Sequence, residues 1–117
     1  MVIDVAVRLQ IAGQRAIGPG KIRLLELIEE HGSISAAGRA MEMAYSHAWT
    51  LVNSLNETFV EPVVESRPGG HEGGGARLTP FGSELVRRYR TIEGRARAAC
   101  LDDIHALETA TVRRKRR

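Results

Sequence analysis

The sequence predicts a mainly α-helical fold with small β elements, and three observations support this prediction. Apolar residues recur at helical spacing in several segments, a stretch near the amino terminus alternates apolar and polar residues, and a glycine-rich stretch separates two short β-branched runs. Hydrophobic residues make up 43% of the 117 residues and aromatic residues only 4%. We therefore expect one domain with an aliphatic core and at most one projecting element.

The first part of the chain predicts a strand followed by a helix. Residues 3–11 alternate apolar and polar side chains, which is typical of a half-buried strand. Pro19 suits the first turn of a helix, and Gly32 is a typical residue just after a helix end. The apolar stripe of this helix is formed by Ile22, Leu24, Leu25, Leu27 and Ile28. Its solvent side is expected to carry Glu26, Glu29 and Glu30.

Two shorter helices are predicted next. The second helix is expected over about residues 35–41, with Ser33 or Ser35 as its N-cap. The third is expected over about residues 45–57. One face of this third helix is apolar and carries Ala48, Leu51, Val52 and Leu55. The opposite face carries Ser46, Thr50 and Asn53, with Trp49 on its flank.

The second half predicts a hairpin and a last helix. Short strands are expected at Val63–Ser66 and Ala76–Leu78, with a mobile glycine-rich loop over residues 68–75. Thr79 as N-cap and Pro80 in the first turn then start a helix. Its apolar stripe continues for about 28 residues, or roughly 40 Å at 1.5 Å per residue. The stripe consists of Phe81, Leu85, Tyr89, Ile92, Ala96, Cys100, Ile104 and Leu107.

Three helices followed by a glycine-tipped hairpin are the parts of a winged helix-turn-helix. The predicted boundaries are residues 1–79 for this domain with its amino-terminal strand, 80–110 for a long dimerisation helix, and 111–117 for a disordered basic tail. The stripe of the last helix docks either on its own domain or on a second copy. We expect a homodimer, because an unpaired stripe of this length exposes apolar surface. The expected dimer contacts are Leu85, Tyr89, Ile92, Ala96 and Ile104, and Cys100 is expected to be packed rather than reactive.

Charge is distributed unevenly along the chain. The net charge is +3, but residues 113–117 are all basic, and the rest of the chain has 12 basic and 14 acidic residues. Between Lys21 and Glu65 there are three basic and seven acidic residues, whereas between Arg67 and Arg97 there are seven basic and three acidic ones. Positive charge is therefore expected on the hairpin and beyond it.

The third helix has the character of a helix that enters the DNA major groove. Its outward face carries no acidic residue before Glu57, and Ser and Asn side chains bind base edges or phosphates. Trp49 is either a DNA contact or a partly buried structural residue. The hairpin is expected to contact the DNA backbone. The basic tail is either an ordinary charged terminus or a segment that adds salt-sensitive affinity for DNA, and the second interpretation is preferred. The predicted DNA-binding residues are Ser35, Tyr45, Ser46, His47, Trp49, Thr50, Asn53, Arg67, His71 and Arg77.

The stretch from Gly32 to Met41, continued by residues 45–49, resembles the helix-turn-helix of LysR-type regulators. It is similar more specifically to the amino-terminal domain of ModE-type, molybdate-responsive regulators. That similarity rests on several matches: Tyr45 with Ala48-Trp49, Asn53, Asn56, Gly73-Gly74-Gly75 before Leu78-Thr79, and the amino-terminal strand. It covers about residues 3–105 and implies a bacterial transcriptional regulator. It also implies a dimer in which the amino-terminal strand and the last helix pair across a two-fold axis.

The sequence departs from this family pattern at several positions. Glu42 stands where such motifs usually carry glycine, and a left-handed conformation there would cost about 1 kcal/mol. Ala44 replaces a frequent serine N-cap, and Ser46 and His47 differ from the usual residues of the reading face, so a different operator is expected. The oxyanion-sensing domains of full-length members have no counterpart in these 117 residues. No molybdate binding is therefore expected within them.

No enzymatic, cofactor or metal site is predicted. The glycine-rich loop lacks the Lys-Ser/Thr ending of a P-loop and precedes a strand, the four histidines are scattered, and a single cysteine excludes an internal disulfide. The absence of a signal peptide and of an apolar run of about 20 residues favours a cytoplasmic protein with no membrane contact. The leading function is a homodimeric, sequence-specific regulator that binds double-stranded DNA, with molybdenum-related genes as its targets. The alternative is an interaction protein that forms mixed dimers with a full-length regulator and does not itself recognise a DNA sequence.

Overall fold

The structure, a computed structural model, describes residues 3–13, 15–70 and 73–111. Within these ranges there are two small antiparallel hairpins. One precedes the first helix, and the other lies between the third and fourth helices. The predicted mainly α-helical class with small β elements is confirmed. In chain order the elements are β1 (Leu9–Ile11), β2 (Arg15–Ile17), α1 (Pro19–His31), α2 (Ile34–Ala40), α3 (Tyr45–Thr58), β3 (Val64–Gly70), β4 (Gly73–Leu78), α4 (Pro80–Ala99) and α5 (Leu101–Thr109).

Helix α1 lies at the centre of the core. It begins at Pro19 and ends at Gly32, whose φ of 81° is left-handed and whose N–H donates to the Ile28 carbonyl. Helices α2 and α4 and strand β4 all pack against it. Its predicted apolar stripe is buried throughout, at Ile22, Leu24, Leu25, Leu27 and Ile28. Since burial of one such side chain contributes about 1.5–3 kcal/mol, this helix organises the domain.

Two glutamates of α1 also have polar partners in the chain, although Glu29 is exposed as predicted and Glu26 is half-buried. The Glu29 carboxylate accepts a hydrogen bond of 3.1 Å from the Leu78 N–H. The Glu26 carboxylate accepts two, of 2.9 and 3.0 Å, from the Arg90 guanidinium. Both glutamates therefore attach later elements to α1. Helical spacing identifies a polar face, but it does not show which distant element lies against that face.

The amino-terminal strand is shorter than predicted. Only the last three residues of the range 3–11 form a strand, β1, and its partner β2 was not predicted. Residues before it run beside the last two helices. The Tyr89 hydroxyl donates to the Val7 carbonyl at 2.7 Å, and the Ile3 N–H donates to the Glu108 carboxylate at 3.1 Å. Alternate residues of the range 3–11 are half-buried as expected. The residues before β1 do not form a strand, because the backbone groups of the neighbouring helices are already hydrogen-bonded and offer no ladder for pairing.

The last helix is divided, so the prediction of one continuous helix was wrong. Helix α4 ends at Ala99 and α5 begins at Leu101, because Cys100 has φ −102° and ψ 8°. An apolar spacing of three or four residues continues across such a single-residue interruption and does not reveal it. Cys100 is exposed within the single chain, so it does not pack against its own domain. Ile104 beyond it is buried, at 5% exposure.

The second hairpin is more regular than its composition predicted. Strands β3 and β4 pair Arg67 with Gly75 and Gly70 with Gly73, with a register irregularity between them. The predicted mobile loop over residues 68–75 is thus mostly strand. Ladder hydrogen bonds join backbone groups, so glycine supports them despite its low strand propensity. His71 and residues 112–117 of the predicted basic tail lie outside the described residues.

Replacing Arg90 should reveal how far its ion pair secures α4 on α1. The hydrogen bonds from Arg90 lower the pKa of Glu26 below its ordinary value of 4.5. A carboxyl group whose pKa is lowered by folding stabilises the fold above its unfolded pKa, and this contribution is lost as the pH falls through the folded pKa. We expect Arg90→Met to lower the free energy of unfolding by about 1–2 kcal/mol at neutral pH, and by less in acid.

Urea unfolding of both proteins at neutral pH and at about pH 3 measures this difference. Arg88→Met is the matched control, because Arg88 is 69% exposed and its partner among the described residues is Glu84 on its own helix. The control should change stability by no more than a few tenths of a kcal/mol. An equal loss at both pH values would mean that the arginine stem, and not its charge, stabilises the contact.

Candidate nucleic-acid interface

Helices α2 and α3 form the helix-turn-helix, and the start of α2 has a side-chain cap. The Ser33 hydroxyl oxygen accepts a hydrogen bond of 3.0 Å from the Ala36 N–H, so Ser33 is the N-cap. The Ser35 hydroxyl oxygen instead accepts a bond of 2.8 Å from the Arg39 guanidinium. Ser35, a predicted DNA-binding residue, is half-buried. Its hydroxyl is already hydrogen-bonded within α2.

The turn between α2 and α3 has a strained backbone. Glu42 has a φ of 57°, the left-handed conformation that the sequence predicted for it. The Met43 N–H donates to the Gly38 carbonyl at 3.0 Å and closes the turn. A Cβ at Gly38 would lie 3.1 Å from the Cβ of Ala48, so α3 packs closely on α2. Ala44 precedes α3 without a side-chain cap, as expected.

Helix α3 presents the predicted DNA-binding residues on its exposed side. Tyr45 and Trp49 are 56% and 48% exposed, so Trp49 is accessible to a ligand. An α-helix with its side chains is about 10–12 Å in diameter, so α3 fits the major groove, which is about 12 Å wide. The buried side consists of Ala48, Val52 and Leu55. On the other side Ser46, His47 and Thr50 are exposed and Asn53 is half-buried.

Two polar groups on this side of α3 have partners on their own helix. The Thr50 hydroxyl donates to the Ser46 carbonyl at 2.9 Å. The Asn53 amide donates to the Glu57 carboxylate at 3.2 Å. Both side chains keep oxygen acceptors, and the bond from Asn53 lies at the surface, where exchange for another partner costs little. The reading side of α3 is therefore polar and adaptable.

Asn56 holds the wing against α3, a role that sequence reasoning missed. Its carbonyl oxygen accepts hydrogen bonds from the N–H groups of Val63 and Val64, at 2.7 and 3.0 Å. Its amide group donates to the Val64 carbonyl at 3.2 Å. These three bonds attach Val63 and the first residue of β3, Val64, to the last turns of α3. The only available signal was the family resemblance, in which Asn56 was one of the matching residues.

The wing, β3–β4, exposes two of the predicted arginines on one face. Arg77 lies opposite Glu65 in the ladder, and Arg67 follows Glu65 by two residues, so the three side chains share a face. The Arg77 guanidinium forms an ion pair of 3.0 Å with the Glu65 carboxylate. Arg67 is exposed and has no acidic partner within the described part of the chain. Among the described residues, Arg67 is thus the wing arginine without a carboxylate partner.

The expected positive surface after residue 65 is largely neutralised, which corrects the prediction. Of the seven arginines between positions 67 and 97, five form ion pairs with carboxylates of the same chain. Four of these five lie on α4 and not on the wing. The paired residues are Arg77, Arg87, Arg88, Arg90 and Arg97. Arginine content along the sequence therefore overstates the charge available to DNA.

The residues predicted for a dimer interface differ widely in exposure. Tyr89 and Ile104 are 1% and 5% exposed within the single chain, whereas Ile92 is 40% exposed. Leu85 packs against the core and Ala96 is half-buried. The large apolar side chains that are exposed on α4 and α5 are Ile92, Leu101 and Leu107.

No group of three His, Cys, Asp or Glu residues that could hold a metal ion occurs among the residues with described positions. No helix in the same ranges is long and apolar enough to cross a membrane.

Residues 20–83 match the family described as bacterial regulatory helix-turn-helix protein, lysR family. This chain belongs to that family. The match begins in α1, includes the whole helix-turn-helix and the wing, and ends in the first turn of α4. A family of regulatory proteins with this DNA-binding motif agrees with the prediction that the chain is not an enzyme.

The resemblance to ModE-type regulators is confirmed. The chain is 44% identical over 89 residues to the molybdenum-pterin-binding protein MopA of Rhodobacter capsulatus, covering 76% of this chain and 34% of MopA. It is 32% identical over 112 residues to the transcriptional regulator ModE of Yersinia pestis, covering 93% of this chain and 43% of ModE. The chain therefore spans less than half the length of these relatives.

The fold is also similar to that of a DNA-bound winged-helix protein. Streptococcus pneumoniae FabT, in a crystal structure with DNA, superimposes with a TM-score of 0.54 over 80% of this chain and 70% of its own. The two sequences are only 13% identical, so this similarity concerns the fold alone. The predicted winged helix-turn-helix is confirmed.

Glycine at position 42 should stabilise the helix-turn-helix. Glu42→Gly removes a Cβ from a left-handed backbone, which we expect to raise the free energy of unfolding by about 0.5–1 kcal/mol after the greater freedom of the unfolded chain is allowed for. Glu42→Gln is the control, since it removes the charge and keeps the strained conformation. Thermal and urea unfolding of the three proteins measure the effect. Equal stabilisation by Gly and Gln would attribute the gain to charge and not to the backbone.

Proposed function

We propose that the chain is a sequence-specific DNA-binding transcriptional regulator that acts as a homodimer in a bacterial cytoplasm. The observation that carries this proposal is the exposed side of α3, which is polar and free of acidic residues before Glu57, on a helix whose diameter the major groove admits. In this proposal Ser46, Thr50 and Asn53 read base edges, and Tyr45 and His47 contact phosphates or bases. Arg67 binds the neighbouring DNA backbone through the wing.

Membership of a regulatory helix-turn-helix family supports DNA as the ligand. The relatives MopA and ModE of Rhodobacter capsulatus and Yersinia pestis carry names that refer to molybdenum-pterin binding and to transcriptional regulation. We therefore propose molybdenum-related genes as the targets of this chain. The operator selected by the protein should then occur upstream of genes of that class in the source genome.

Selection of duplexes from a random pool tests sequence reading directly. We expect a palindrome whose half-sites are separated by about one helical turn, roughly 34 Å. Asn53→Ala should weaken binding to that palindrome by about tenfold or more, because one bidentate base contact is worth about 1–3 kcal/mol. Arg67→Ala should weaken binding to selected and random duplexes alike, since a phosphate contact carries no base preference.

Ser83→Ala is the matched control for Asn53→Ala, because Ser83 is an exposed residue of α4 and lies outside the proposed interface. It should leave binding unchanged. Salt-sensitive binding with no enriched sequence and no response to Asn53→Ala would favour the alternative, an interaction protein that forms mixed dimers with a full-length regulator.

A homodimer interface on α4 and α5 is supported by their exposed apolar side chains. Ile92, Leu101 and Leu107 are 40%, 41% and 59% exposed, although they belong to or flank an apolar stripe that begins in the core. Tyr89 and Ile104 are buried within the single chain, where they help to hold α4 and α5 in place. Large apolar side chains concentrated on one helical segment are typical of an association surface.

Leu107→Glu should therefore weaken the dimer by about tenfold or more, since one buried leucine contributes about 1.5–3 kcal/mol. Val60→Glu is the control, because Val60 is fully exposed, at 103%, and follows α3 instead of lying on the last helices. Light scattering coupled to gel filtration over a concentration series measures both. A wild-type protein that stays monomeric throughout, or equal effects of the two variants, would contradict this interface.

A further inference from the structure

A second cationic surface lies beside α3, outside the residues assigned above. An open cleft of about 480 Å³ is bounded by the β1–β2 hairpin, the start of α1 and the side of α3. Three cationic side chains line it, those of Arg8, Arg15 and Lys21. None of the described residues that line the cleft is acidic. The three positive charges therefore come from the segment before β1, from β2 and from the start of α1.

The positive charges in this cleft are poorly compensated. Arg8 is exposed and has no hydrogen-bond or ion-pair partner in the described part of the chain. The Lys21 ammonium donates to the Ala16 carbonyl at 2.8 Å, which orients it without neutralising it. Burial, together with the positive charges of Arg8 and Arg15, lowers the pKa of Lys21 below its ordinary value. An anion between these groups would relieve their mutual repulsion.

Arg15 links the β1–β2 hairpin at the edge of the cleft to α3. Its guanidinium donates to the Thr58 hydroxyl at 3.2 Å and lies 3.9 Å from the Glu57 carboxylate. The side chains of Arg15 and Glu57 are 43% and 59% exposed, so this long ion pair is weak. A guanidinium has five N–H donors, and most of those of Arg15 remain for another ligand.

Backbone groups at the start of α1 add to the attraction for an anion. Gly18 precedes the helix without a side-chain cap, and the first turn of α1 contains no acidic residue. The first N–H groups of a helix have no acceptor within it and favour negative charge. Gly18, Gly20 and Lys21 all line the cleft, so the start of α1 borders the same space as the three cationic side chains.

We propose that this cleft binds a tetrahedral oxyanion of the phosphate type, held by Arg8, Arg15 and Lys21. Ser54, which also lines the cleft, lies one turn beyond Thr50 on α3 and about 12 Å along the helix from Ser46. A phosphate of the DNA backbone beside the major groove is one source of such a group, and that source rests on the proposed function. A free phosphate ion is the other source and is independent of it.

Two measurements on the full chain separate these sources. The first is titration with inorganic phosphate at low ionic strength, followed by the amide NMR signals of Gly20 and Lys21. The second is the salt dependence of binding to the selected duplex and to a random duplex. Both are made with wild type, with Arg8→Ala and with the control Arg23→Ala. Arg23 is an arginine of α1 that is 52% exposed and does not line the cleft.

Phosphate should shift both amide signals, and Arg8→Ala should weaken this binding about tenfold, the equivalent of one hydrogen bond to a charged group. Arg23→Ala should not. If DNA supplies the phosphate, Arg8→Ala should also reduce the slope of log K against log salt by about one on both duplexes. A phosphate response with an unchanged slope assigns the cleft to a free oxyanion. A changed slope without a phosphate response assigns it to the DNA backbone.

The proposal is overturned if there is no phosphate response and the slope is unchanged, or if Arg8→Ala and Arg23→Ala have equal effects. Failure of the wild-type chain to bind any duplex would contradict the proposed function by itself. The phosphate titration would then decide whether the cleft is an oxyanion site.

Discussion

Burial of α1 is the constraint on which the rest of the structure depends. Ile22, Leu24, Leu25 and Ile28 are completely buried, and α2, β4 and α4 all pack against this helix. Only 4% of the residues are aromatic, so cohesion comes from many close-packed aliphatic contacts and not from a few large rings. The helix-turn-helix, the wing and the fourth helix therefore all pack against the same helix. A change in how α1 packs would move all three.

Side-chain hydrogen bonds to the backbone set the orientations that apolar burial leaves open, because hydrophobic attraction is non-directional. Asn56 attaches β3 to α3 with three such bonds. The buried Thr79 hydroxyl donates to the Pro62 carbonyl at 2.7 Å and accepts from the Gly82 N–H at 2.9 Å, which joins the end of the wing to the start of α4. These junctions are short and largely shielded from water. They make α3 and the wing one unit, so that a contact made by one positions the other.

Local patterns predicted the helices well and their polar partners poorly. A serine cap for α2 and the buried side of α3 follow from residue types and spacing, although these left Ser33 and Ser35 both open as the cap. The left-handed residue at Glu42 was indicated by the family resemblance. The exposed polar side of α3 follows from the same spacing. By contrast, the neutralisation of Arg77 depends on a residue twelve positions earlier. The break at Cys100 left the apolar spacing intact, so periodicity alone could not reveal it.

The sequence by itself determined where α1, α2, α3 and α4 begin and which sides of the first and third are buried, because capping and periodicity are local properties. Its resemblance to a known motif indicated the family and the strained position at Glu42. Only the tertiary structure decided which charged groups remain available. It paired Glu26 with Arg90 across 64 positions and placed residues 3–7 beside the last helices instead of in a sheet. It also brought Arg8, Arg15 and Lys21 to one cleft beside α3. Contacts between distant segments depend on how the elements pack around α1, and the local spacing of residues does not encode that packing.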